Sequence, residues 1–192
     1  MSLKPSISKG TKDYLPNDLG KRNYLKKILR ETFEIFGFLP IETPSFERIE
    51  TLTGKYGENG DRLIFKILNS GDKLKKADIK SFVDKDLAKF SNSLSEKALR
   101  YDLTVPLARF VSQHRNEINF PFRRYQMQNV WRADRPQRGR FQEFLQCDVD
   151  ILGNRSILQE VEIILMCEYI FSKLNLKNIS VNINHRKILE GI

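Results

Sequence analysis

Six arginines and no lysine lie between Phe122 and Asp150: Arg123, Arg124, Arg132, Arg135, Arg138 and Arg140. A merely solvated basic face would mix the two residue types. A set made of arginine alone suits geometric recognition, because the planar guanidinium forks onto phosphate or carboxylate oxygens. Polar groups alternate through the same stretch. Phe144, Gln146, Asp148 and Asp150 share one parity, and Leu145, Cys147, Val149 and Ile151 the other. On a strand these are two faces, so one is expected to be core while the other presents a ring, an amide and two carboxylates. Arg100, Asp102 and Thr104 alternate likewise, as do Gln126, Gln128 and Arg132. An antiparallel sheet can leave such a face in water, but Asp and Asn are poor strand formers, and three such faces together suit a ligand. Carboxylates and amides would hold an ammonium group, arginine would neutralise phosphate, and phenylalanine would stack. That chemistry fits a zwitterion beside a nucleotide, as in amino-acid activation by ATP.

Several elements must position these groups. Leu25, Ile28, Leu29, Thr32, Phe33 and Phe36 recur at helical spacing, which predicts an amphipathic helix from about Asp18 to a stop at Gly37. Short strands are expected at Phe38–Ile41, before Pro44, and at Arg62–Leu68. The segment from Asp72 to about Lys97 is rich in Lys, Asp and Ser and reads as a charged, partly helical insertion with a solvated face. Ala98–Thr104 reads as a strand and Pro106–Arg115 as a helix. Phe122–Trp131 and Glu143–Leu152 read as an antiparallel pair joined by the polar loop Arg132–Gln142. Ser156 and Gln159 form a capping-box pattern before a helix to about Leu174, apolar round much of its circumference and expected to be well buried. Ile179–Asn184 reads as one more strand, and a helix is expected to begin near His185. The pattern is α+β, an antiparallel β-sheet flanked by helices. Regular βαβ alternation, GxGxxG and Walker loops are absent.

The 192 residues suggest one domain. Thirty-three Lys and Arg against 24 Asp and Glu give a net charge of +9, which points to anionic partners. Two cysteines and two histidines, far apart in sequence, argue against a structural zinc site, and His114 and His185 read as structural. Neither a signal peptide nor an apolar run of the ~20 residues that span a bilayer is found, so a cytoplasmic location is expected. The sequence stops where a helix is expected to begin, which suggests a fragment of a longer protein.

The segment WRADRPQRGRFQEFLQCDVDILG resembles the second signature motif of class II aminoacyl-tRNA synthetases, specifically the histidyl-tRNA synthetase family. GFLPIETPSFE, Gly37 to Glu47, resembles the first motif, a helix–strand–proline unit at a homodimer interface. LRYDLTVPLAR, Leu99 to Arg109, resembles the amino-acid-binding segment, and KGTKDYLP, Lys9 to Pro16, the N-terminal opening. The resemblance covers nearly everything outside Asp72–Glu96 and places residues 1–192 in the N-terminal portion of the catalytic domain. The remainder of that domain and an anticodon-binding domain would then lie downstream.

The resemblance implies roles by position. Arg132 would contact the ATP α-phosphate and the substrate carboxylate. Asp134 would lie near the adenine amino group, where Glu is frequent in the wider class; Arg140 would lie near the terminal phosphates, and Phe144 would stack on adenine. Asp102, Thr104 and Gln146 would hold the histidine α-ammonium, and Asp150 would face the imidazole. Asp stands at 102 and 150 where Glu is also common, so a shorter arm must be made up by backbone position or water. Arg135 and Arg138 would contact the tRNA acceptor stem, and Phe38 and Pro44 would lie at the dimer interface. ATP with Mg²⁺, histidine and tRNA(His) are the implied ligands. Two other readings remain. One is a non-catalytic paralogue, the regulatory subunit of ATP phosphoribosyltransferase; retention of Arg132, Arg140, Gln146 and the RGRF loop favours the synthetase over it. The other is a basic RNA-binding or dimerisation module with no small-molecule site.

Overall fold

The fold is that of a computed structural model, which describes residues 4–55 and 57–191. It is α+β, with antiparallel strands flanked by helices. The chain forms two compact units. One comprises residues up to Asp13, Pro40–Asn119 and Arg124–Asp150; the other comprises Tyr14–Leu39, Phe120–Arg123 and the residues from Ile151 onward.

The first unit holds the arginine-rich segment. In one sheet β4 (Lys97–Leu99) lies between β2 (Phe46–Arg48) and β3 (Lys66–Ile67), antiparallel to both, with Glu47 and Lys66 each opposite Ala98. Ile49, Leu52, Ile64 and Ala98 form the buried cluster behind it, with Tyr101 and Val105 packed alongside. The strand expected over Ala98–Thr104 ends early. The Asp102 Oδ1 accepts from the backbone N–H of Thr104 (3.1 Å) and Val105 (3.3 Å), so it turns the chain into α6 (Thr104–Gln113) in the manner of a helix-starting Asp. The expected strand at Arg62–Leu68 is likewise reduced to β3, because the preceding residues complete a short helix at Gly57–Asp61. The charged insertion forms a 3₁₀ turn at Gly71–Lys76 and two short helices, α4 (Ile79–Val83) and α5 (Leu87–Ser93), capped by Asp78 and Asp86.

The long strands match the expectation at both ends: β5 is Phe122–Trp131 and β6 is Glu143–Leu152. They belong to a sheet of order β1–β5–β6, where β1 is Leu39–Pro40. The Arg132 N–H donates to Gln142 O at 2.8 Å and closes the loop. On β6, however, the face read as core is not one. Cys147 is exposed and Leu145 and Val149 are half-buried, because no other described element of this unit covers them. Burial falls instead on the polar parity of β5, where Arg124 and Gln126 are both 0% exposed.

In the second unit, α1 (Pro16–Ile35) packs against α7 (Leu158–Lys173), with Phe36 edge-on to Tyr169 at 6.0 Å. Of α7 only Met166 and Ile170 are buried, while Val161 and Leu165 are exposed. The helix expected to be enclosed is packed on one side only. Its capping box is also incomplete. The Ser156 Oγ accepts from Leu158 N at 3.3 Å, and the Gln159 side chain accepts from Arg123 instead of returning to the cap. Ile179–Asn184 forms no strand, since a strand needs a hydrogen-bonded neighbour and none lies beside it among the described residues.

Candidate functional site

The site is built on the hairpin of β5 and β6 and the loop between them. Pro136 to Arg140 is folded back as a tight turn. The Arg140 N–H donates to Gln137 O at 2.9 Å and the Gln137 N–H to Arg140 O at 3.4 Å. Gly139 takes φ +79°, which a residue with a Cβ adopts at a cost. This turn borders an open cavity of about 380 Å³ lined by Arg132, Asp134, Gly139, Arg140, Phe141 and Phe144. Four of these are the residues expected around ATP. Gly139 and Phe141 were not among the expected contacts; only their place in the RGRF loop marks them.

The Arg132 guanidinium lies between two rings, 4.6 Å from the Tyr101 centroid and 5.2 Å from that of Phe144. Its Nε donates to Tyr101 O at 3.2 Å and one Nη makes a long 3.4 Å contact with Gln146 Oε1. The Gln146 amide in turn donates to both oxygens of Asp148, at 3.0 and 2.9 Å. Arg132, Gln146 and Asp148 therefore form one chain of polar contacts, with Phe144 beside it. Phe144, expected to stack on adenine, already carries a cation near its face. Tyr101 was not among the expected contacts.

Asp150 is ion-paired with Arg124, whose side chain is 1% exposed against 41% for Asp150. Burial is the main influence on both. It lowers the guanidinium pKa against the pull of Asp150 and Asp148. It raises that of the Asp150 carboxyl, with Asp148 adding to the rise and Arg124 opposing it. Asp102 is half-buried and Thr104 exposed at the start of α6, and the backbone contacts of Asp102 give it a structural role whatever else it binds. Arg135, Arg138 and Arg140 are exposed on the loop.

Three polar residues read as facing a ligand turn to protein partners instead, Arg100 and Gln126 buried and Gln128 half-buried. Arg100 is 2% exposed. It donates to Thr43 O (2.7 Å), Pro44 O (3.1 Å), Asn129 O (2.7 Å) and Gln128 Oε1 (3.1 Å). Gln126 Nε2 donates to Thr43 Oγ1 (2.9 Å) and Gln128 Oε1 (2.6 Å). Arg100, Gln126 and Gln128 thus tie the Thr43–Pro44 bend to β5, as buried polar groups must find partners. Arg123 belongs to the second unit, where it forks onto Glu162 (2.9 and 2.7 Å) and donates to Phe36 O. It also lies 4.5 Å from the Phe38 ring centroid. Of the two residues expected at a dimer interface, Phe38 is 1% exposed and Pro44 is exposed.

The histidines have local partners. His114 packs tilted on Phe110 and its Nδ1 lies 3.2 Å from Glu117 Oε1, while His185 Nδ1 accepts from Lys187 N. Among the described residues no three His, Cys, Asp or Glu side chains converge as metal ligands, and no helix is long and apolar enough to cross a membrane.

Comparison with known proteins bears on this arrangement. The histidine–tRNA ligase of Christiangramia forsetii is 59% identical over 191 residues, covering all of this chain and 42% of that protein. That of Flavobacterium johnsoniae is 51% identical over 210 residues, covering all of this chain and 44% of its own length. The chain thus spans about two fifths of the length of these relatives. The crystal structure of histidyl-tRNA synthetase from Nostoc sp. PCC 7120 superposes with a TM-score of 0.77 at 32% identity, covering 97% of this chain and 38% of that one. A Bacillus halodurans structure described as an ATP phosphoribosyltransferase regulatory subunit/histidyl-tRNA synthetase shares the fold, with a TM-score of 0.67 at 24% identity over 90% of this chain and 39% of that one. The family model for histidyl-tRNA synthetase matches residues 68–192, the part that carries α6, both long strands and the cavity, and the chain belongs to that family.

Proposed function

We propose that this chain is the ATP- and amino-acid-binding part of a histidine–tRNA ligase. The grouping of Arg132, Asp134, Arg140 and Phe144 around one cavity carries the reading. Arg132 binds the ATP α-phosphate and the substrate carboxylate, Arg140 the terminal phosphates, and Phe144 and Asp134 the adenine. Asp102, Thr104 and Gln146 hold the α-ammonium, and Asp150 accepts an imidazole N–H. The histidine carboxylate is ionised at neutral pH, so no general base is required. It attacks the α-phosphorus in line, the bond to the bridging oxygen breaks and pyrophosphate leaves. The chain positions the reactants, and Arg132 stabilises charge on the equatorial oxygens.

The tRNA 3′-terminal hydroxyl then attacks the histidyl-adenylate. The exposed Arg135 and Arg138 suit contacts with acceptor-stem phosphates. Asp134 is the single carboxylate among the described residues that line the cavity. A magnesium ion there would take the rest of its shell from phosphate and water, and the described residues do not by themselves form a site for one. Pro44 suits a homodimer contact, and the cytoplasm is the compartment of this activity. The chain spans about two fifths of the length of its relatives, so the charging of tRNA is proposed for a full-length protein that carries it.

Amino-acid-dependent ATP–pyrophosphate exchange, run on a full-length protein carrying this chain with each amino acid in turn, tests the proposal. Exchange with histidine alone supports it. Absence of exchange from folded protein overturns it in favour of the regulatory paralogue.

A further inference from the structure

One end of the hairpin face holds a charge that the activation chemistry does not account for. Arg124 is 0% exposed, and burying a guanidinium is costly unless its partners are well made. Its Nη groups pair with Asp150 and donate to Gln126 Oε1 at 3.2 Å, while its Nε has no hydrogen-bond partner. Gln126 is itself buried and held by Thr43 and Gln128. The guanidinium is therefore held by an amide that is itself hydrogen-bonded in place.

Asp150, its ion-pair partner, is 41% exposed, although the Oδ2 that meets Arg124 is buried. The neighbouring Asp148 is engaged by the Gln146 amide through both oxygens. An unpaired carboxylate here would draw in any cation. Paired with Arg124, Asp150 keeps acceptor lone pairs but carries no net charge with its partner. That environment suits a neutral ring N–H and gives little to an ammonium or guanidinium side chain, whose charge would face Arg124.

We propose that Arg124 is the positioning residue that makes this end of the hairpin face select a neutral, N–H-bearing side chain, by orienting the Asp150 carboxylate and cancelling its charge. This deepens the reading of amino-acid activation and rests on it.

The charged and titratable groups acting on this pair are Asp148 on both members and the Cys147 thiol on Arg124. Arg124 alone holds the Asp150 carboxyl down against burial and Asp148. Without it Asp150 takes up a proton at higher pH, and the ionised acceptor is lost at the acid end first.

Histidine-dependent exchange is measured between pH 6 and 9 on a full-length protein carrying this chain, as wild type, Arg124→Gln and Arg124→Lys. For Arg124→Gln the histidine KM rises about tenfold or more, and the ratio to wild type is larger at the acid end of this range than at the alkaline end. The ATP KM stays within about twofold, and the preference for histidine over lysine in kcat/KM falls. Arg124→Lys keeps the charge but not the fork, so its histidine KM rises by only a few-fold and the ratio to wild type is flat with pH. A fall in kcat alone, or a histidine KM unchanged in both variants, reduces Arg124 to a structural role and overturns the proposal. If Arg124→Gln does not fold, Arg124→Lys decides: an unchanged histidine KM overturns the proposal, and a selective rise upholds it. Wild-type protein without histidine-dependent exchange overturns the underlying reading and the proposal with it.

Discussion

The Gly10 carbonyl accepts the Gln142 N–H at 2.7 Å, and a Cβ placed on Gly10 would lie 2.7 Å from Gln142 Cγ. Gln142 also gives its carbonyl to Arg132 N and its side-chain amide to Asp134 O. The N-terminal Lys9–Gly10 turn is thus a clamp on the base of the loop that carries the cavity. Gly10 has φ +82°, so Gly10→Ala adds backbone strain of about 1–2 kcal/mol to a contact that is already closed. In the full-length protein this variant is expected to raise the ATP KM several-fold and leave the histidine KM within about twofold. Steady-state exchange kinetics check this; equal rises in both constants would mean that the clamp does not act through the loop.

Glu47 and Arg109 form a second pairing that sequence periodicity does not expose. Three hydrogen bonds of 2.7 to 3.0 Å join them, and the side chains are 6% and 22% exposed. Glu47 comes from β2 and Arg109 from α6, so the pair locks the helix that begins at Thr104 to the central sheet. Arg109→Ala leaves Glu47 buried without its counter-charge, at a cost of about 3 kcal/mol. Urea unfolding measures the loss. A change under about 1 kcal/mol would show that Glu47 finds water when its partner is gone.

Asp78 gives a pH-dependent contribution whose sign is fixed by its partners. Hydrogen bonds from the Ser81 hydroxyl and backbone, and then Lys89, hold its carboxyl down to about 2 from the usual 3.8. A depressed carboxyl stabilises the folded state above its unfolded value and loses that contribution as pH falls through the folded one. The difference in unfolding midpoint between wild type and Asp78→Asn is therefore expected to be full at pH 5 and to shrink between pH 4 and 2. A difference constant over that range would mean the cap acts without its charge.

The two long strands and the loop between them were legible in the sequence because period-two patterning and a polar connecting segment are local signals. So were the four residues round the cavity, which one motif supplies together. Asp102 shows where local reading stops. Its parity placed it on a strand, yet its side chain starts a helix, a choice decided by which backbone N–H groups need an acceptor. Arg100, Gln126 and Gln128 look like ligand groups on any alternation argument. Only the tertiary approach of Thr43 and Pro44 turns them to protein partners. Leu145, Cys147 and Val149 show the reverse: an apolar parity is a demand for cover, and in this unit none of the described elements meets it.

Arg132 and Arg140 both line the cavity but are held differently, and this separates their expected effects. Arg132 is placed by two rings, Tyr101 O and Gln146, so it is preorganised before any ligand arrives. Arg140 is exposed at the end of the loop turn and must be ordered by what it binds. A preorganised cation beside the reacting phosphorus stabilises charge that develops in the transition state, whereas a loop cation on the terminal phosphates adds binding energy before and during reaction alike. Arg132→Ala is expected to lower the kcat of histidine-dependent exchange by a factor of about 10² or more. Arg140→Ala is expected to raise the ATP KM by about tenfold, with kcat changed much less, since a removed uniform contact appears in KM. Full exchange kinetics on both variants decide the matter. A kcat loss of similar size in each would mean that the loop, once closed, holds Arg140 as firmly on the reacting phosphate as the rings hold Arg132.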